Sequence, residues 1–72
     1  MIFSKTHLVV LANYKMPFGR YKGQRLLFLP EAYFVWFAQK GWPQGTLGNY
    51  MREMYELKSQ GLEDLLRPLV ER

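Results

Sequence analysis

The stretch from residue 16 to residue 37, MPFGRYKGQRLLFLPEAYFVWF, limits what this chain can fold into more than any other. Gly19 and Gly23 punctuate a basic, aromatic segment and an apolar run comes next. A Leu-Pro-Glu step then opens a helix, because Pro30 fits the first helical position, where an N–H would go unpaired anyway, and Glu31 suits the positive end of the helix dipole. The segment after Glu31 is too aromatic for an ordinary surface helix. A chain of 72 residues without cysteine cannot staple itself with disulfides or a thiolate metal site, so aromatic packing or a partner subunit must compensate for its small core. Five tyrosines, five phenylalanines and two tryptophans favour packing.

Taken in order, Ser4 or Thr6 can cap a first helix over 5–13, in which residues 8–12 are apolar and Asn13 is a plausible left-handed terminating residue. Val9 and Val10 lean towards strand, and period alone does not separate the two. Residues 16–27 read as a β-hairpin, with Tyr21-Lys22-Gly23-Gln24 as its turn and Pro17 on an edge where no N–H is needed. The next element is a helix over 30–40, with Tyr33, Phe34, Phe37 and Ala38 on its core arc and Trp36 outside it. The clearest amphipathic helix spans 46–60, where Gly48 marks either a close-packed neighbour or a late start. Gly61 ends that helix, and Pro68 keeps a last one short, at 62–66. The expectation is a single α+β domain over 1–72, a hairpin packed on three to four helices.

The charge is +4 and unevenly spread. Lys5, Lys15, Arg20, Lys22 and Arg25 all precede Glu31, the first acid. That asymmetry points to a polyanion or an acidic partner for the N-terminal half, although small basic domains also carry such charge for solubility alone. No apolar run approaches the ~18 residues of a membrane span and no signal-peptide order is visible, which points to a soluble cytoplasmic protein that engages no membrane.

Catalysis is hard to assemble from these residues. There is no cysteine, only a single histidine (His7), no Walker-type loop and no metal-ligand spacing, so no catalytic residue, metal or cofactor is expected. Glu53 with Glu56, and Glu63 with Asp64, read as solvated helix faces rather than metal sites. Binding is easier to build: backbone N–H groups at Gly19 and Gly23 can approach phosphate oxygens while Lys15, Arg20, Lys22 and Arg25 add charge and Tyr21 or Trp36 stacks on a base. The leading expectation is therefore a small non-enzymatic module that contacts DNA or RNA through a basic hairpin. The alternative is a protein-interaction or homodimerisation module without a nucleic-acid ligand, in which exposed aromatics and methionines bury one another.

MPFG-x-YKG, LPE-x-Y-x-x-WF and GLE-x-LL-x-PL, in that order and spacing, resemble a small bacterial domain-of-unknown-function family labelled putative quorum-sensing-regulated virulence factors, over about residues 8–69. That resemblance implies little chemistry. PFGRYKGQ, the subsequent Leu-Pro step, Tyr33 and Trp36 also look like the C-terminal accessory domain of exonuclease-X-like DNA exonucleases, with Arg20 where a lysine is common. This second resemblance implies a module carried beside DNA-processing activity, without the acidic metal-binding motifs of the nuclease itself.

Overall fold

The structure, a computed structural model, describes residues 4–71. Among the described residues the fold is helical, and no strand or sheet forms, which corrects the expected α+β class. Helix α1 spans Lys5–Asn13, α2 Glu31–Lys40 and α3 Gly45–Ser59. Three short 3-10 turns, Leu26–Phe28, Glu63–Leu65 and Arg67–Leu69, complete the secondary structure.

Helix α1 begins where the hydroxyl of Ser4 accepts a 3.1 Å hydrogen bond from the His7 backbone N–H, which satisfies one of the four donors a helix start leaves unpaired. Leu11 and Ala12 face the core. Asn13 remains helical instead of turning left-handed, and the chain leaves through an extended Tyr14.

The hairpin expected over residues 16–27 reduces to one antiparallel bridge, Lys15 with Arg25. It is framed by the Met16 N–H on the Gln24 carbonyl at 2.8 Å and the Leu26 N–H on the Tyr14 carbonyl at 2.9 Å. Two physical reasons stop a ladder from growing. Pro17 has no donor to extend it, and the next three leucines all need burial: Leu26, Leu27 and Leu29 are 0%, 1% and 2% exposed. A strand would send Leu26 and Leu27 to opposite faces. The 3-10 turn Leu26–Phe28 instead turns all three leucines inward and leaves Phe28 outside.

Pro30 is the extended residue just before α2 and not its first helical residue, so the helix starts one residue later than the sequence predicts. Phe34 is fully buried, Tyr33 and Phe37 half-buried, and Ala38 exposed, so the core arc is narrower than its spacing suggested. Helix α3 supplies the central apolar stripe: Met51 and Met54 are fully buried, flanked by Leu47 and Leu57. It closes as the Leu62 N–H bonds the Leu57 carbonyl and the Gly61 N–H bonds the Lys58 carbonyl, a Schellman ending that requires the positive φ of 72° that Gly61 adopts. Beyond it, two 3-10 turns replace the α-helix expected over 62–66, with Leu66 buried between them.

Helix α2 packs on α3, and α1 packs on the Leu26–Phe28 and Arg67–Leu69 turns. Lys58 occupies a core position of α3 and is nonetheless satisfied. Its ammonium donates to the Leu27 carbonyl at 2.7 Å and to Glu63 at 2.6 Å, 6.0 Å from the centre of the Phe34 ring. A buried cation without such partners would cost several kcal/mol, by order of magnitude. The pair therefore fixes the C-terminal turns against the Leu26–Phe28 segment.

Candidate protein-interaction surface

The basic residues of the 15–25 loop divide into two groups. Lys15 and Arg25 face each other across the bridge, where like charges destabilise. Arg25 turns away from its neighbour: its Nε donates to Asn13 Oδ1 at 3.3 Å and its Nη2 to the Glu71 carbonyl at 2.5 Å. Asn13 completes this clasp by donating to the Val9 and Leu69 carbonyls at 2.8 and 2.9 Å and accepting the Glu71 N–H at 2.6 Å. Arg25 thus ties the C-terminal segment to the end of α1. Lys15, Arg20 and Lys22 are exposed and make no ion pair among the described residues. Gly19 and Gly23 lie exposed in the same loop. The basic hairpin on which a nucleic-acid-contacting role rested does not form, and that role goes with it.

What the loop and α2 do build is a row of touching aromatic rings. The Arg20 guanidinium lies 5.5 Å from the centre of the Tyr21 ring, a cation–π spacing. Tyr21 meets Tyr33 edge-to-face at 4.8 Å, Tyr33 meets Phe37 at 5.1 Å, and Phe37 meets Trp36 at 5.0 Å. From Phe37 the row crosses to Trp42, stacked at 6.2 Å, and ends on α3 at Tyr55, 5.8 Å further. The i, i+3, i+4 spacing of Tyr33, Trp36 and Phe37 places these three on one side of α2. Tyr21, Tyr33, Phe37, Trp42 and Tyr55 are half-buried, while Trp36 is 53% exposed. The sequence correctly set Trp36 outside the core arc; the continuity of the row depends on how α2 lies on α3.

Burial, and then the neighbouring Tyr21, raise the pKa of the Tyr33 phenol above 10.0. Below pH 10.0 the phenol is neutral in both folded and unfolded chains and its contribution to stability is intact. Above pH 10.0 the unfolded chain releases its proton first, so stability falls until the folded phenol also ionises. Urea titrations at pH 9 and at pH 11 therefore lose more stability for the parent than for Tyr33→Phe, and an identical loss in both would contradict the assignment.

Three of the acids are engaged in the fold. His7 Nε2 lies 2.5 Å from Glu53 and edge-on to Tyr50, Glu63 holds Lys58, and Asp64 accepts from Arg67 at 2.7 Å. The His7–Glu53 contact was not visible in the sequence because 46 residues separate the two, although Glu53 lies one turn from Tyr50 on α3. Among the described residues no group of three or more His, Cys, Asp or Glu side chains could hold a metal ion, and no helix is long and apolar enough to cross a membrane. A groove of about 340 Å³ between α1 and the end of α3 is lined by Leu8, Glu56, Leu57, Gln60, Leu62 and Leu65 among others. Leu65 stands 66% exposed on it.

Two curated relatives, each described as uncharacterized protein YpeB, come from Escherichia coli strain K12 and Escherichia coli O157:H7. Both are 48% identical to this chain over 66 residues, which cover 90% of it and 92% of them. No solved structure matches. The family described as putative quorum-sensing-regulated virulence factor matches residues 4–69, from the Ser4 cap of α1 to the Leu69 carbonyl that Asn13 holds, and the chain belongs to that family.

Proposed function

We propose that this domain is a non-enzymatic protein-interaction module whose contact surface is the aromatic row along α2. The observation that carries this reading is Trp36, 53% exposed beside Phe37 in a row of half-buried rings. Large aromatic side chains on a fold are the residues that most often dominate association energies, because they bury much area at little entropic cost. The non-enzymatic part is supported by the ion pairs His7–Glu53, Lys58–Glu63 and Arg67–Asp64, which use these groups to fix helices and turns.

A photo-crosslinking residue installed in place of Trp36 tests the reading inside the cell. It is expected to give a discrete adduct with a polypeptide, whereas the same group in place of the exposed Asn49 on α3 gives none. An adduct of twice the chain's mass would identify a second copy as the partner. No adduct from either position, or equal adducts from both, would refute the assignment of this surface.

A further inference from the structure

The row is not electrically neutral, and its charge narrows what can cover it. The loop that supplies its first ring also carries Lys15, Arg20 and Lys22, exposed and without an ion pair among the described residues. Arg20 is already placed over Tyr21, the first ring of the row. No acid precedes Glu31 in the chain to neutralise them. At the far end of α2, Lys40 lies one helical turn beyond Trp36 and Phe37 and is also exposed. Three of the six acids are committed elsewhere, Glu53 to His7, Glu63 to Lys58 and Asp64 to Arg67.

Resting on the interaction reading above, we infer that the partner is an acidic polypeptide segment in which carboxylates alternate with apolar side chains. Its carboxylates meet Arg20, Lys22 and Lys15, and its apolar side chains cover Tyr21, Tyr33 and Trp36. Two features of the surface select this chemistry together. A guanidinium resting on an aromatic face keeps donors free for a bidentate carboxylate while the ring stays available to an aliphatic or aromatic side chain. Unpaired cations beside an apolar strip also repel a basic partner, so the same groups that steer the acidic segment discriminate against its opposite.

The test uses the full chain and three probes: a synthetic twelve-residue peptide alternating Glu with Leu and Phe, its counterpart with Lys in place of Glu, and a single-stranded DNA twelve-mer. Binding is read by tryptophan fluorescence and calorimetry. The acidic peptide is expected to bind at least about tenfold more tightly than the basic one, and to weaken by about tenfold as salt rises from about 0.05 to 0.5 M, since exposed charges are screened over that range. Charge reversal of both Arg20→Glu and Lys22→Glu, with folding checked by circular dichroism, removes that preference, and Trp36→Ala weakens the acidic peptide without changing its salt dependence. Equal binding of the two peptides, unchanged affinity after charge reversal, or tighter binding of the DNA than of the acidic peptide would each overturn the inference. In any of those cases a polypeptide adduct at position 36 would still stand, and would show an interaction surface whose partner is not acidic.

Discussion

Gly48→Ala is expected to destabilise the fold by about 3 kcal/mol or more, the upper part of the range for overpacking, although alanine is the better helix former by up to ~1 kcal/mol. Gly48 lies in the first turn of α3, where a Cβ would stand 1.7 Å from the Pro43 carbonyl oxygen and 2.8 Å from its carbon. The obstacle is backbone, which cannot swing aside as a side-chain tip could. Steric exclusion therefore outweighs propensity. For a domain of this size such a loss lowers the melting temperature by about 12 °C or more. Asn49→Ala, one residue further on the exposed side, tests propensity without the clash and is expected to be neutral or slightly stabilising. A Gly48→Ala variant as stable as the parent would mean that the 43–48 turn and α3 are not packed as described.

Asn13→Ala is expected to cost about 2–3 kcal/mol, since it leaves partners of several hydrogen bonds unsatisfied at a partly buried site. The side chain donates to the Val9 and Leu69 carbonyls and accepts from Arg25 and the Glu71 N–H. Asn13→Asp separates the two halves of this role: a carboxylate keeps the acceptor contacts with Arg25 and Glu71 but cannot donate, and faces two carbonyl oxygens. Its stability is expected to fall as well, and urea titration with an unchanged m-value would show that the loss comes from the folded state. A double-mutant cycle between Asn13→Ala and Arg25→Ala is expected to return a clear coupling energy, because the two share one hydrogen bond and one C-terminal segment. Full additivity would place Arg25 outside the clasp.

Helix positions were readable where short-range physics decides them. Ser4 as a cap, the start of α2 beside Pro30, the apolar stripe of α3 and the ending at Gly61 each depend on a few neighbouring residues. The hairpin was misread because Gly19, Gly23 and Pro17 are turn residues in any compact loop, and their presence does not say whether extended chain flanks them. Burial of Leu26 and Leu27 on the same side decided against a strand. The same limit applies to the cations. Arg25 looked equivalent to Arg20 and Lys22 along the chain, yet the end of α1 and Glu71 come together around it alone. Lys58 did leave a signal, since it continues the core phase of Leu47, Met51 and Met54, and a lysine there needs a buried partner.

Residue order was enough to point to helices near 5–13, 30–40 and 46–60, a basic N-terminal half and an aromatic α2, because backbone hydrogen bonding, steric limits at proline and glycine, and helical periodicity act over a few residues. Three outcomes needed the folded chain: residues 15–25 close as a loop with a single bridge, Asn13 and Arg25 hold the C-terminal segment, and separate rings join into a row from Tyr21 to Tyr55. Each arises from competition for a small core between residues distant in the chain. Which side chain is buried, and which is left beside an exposed ring, is settled by packing rather than by any one segment's preference.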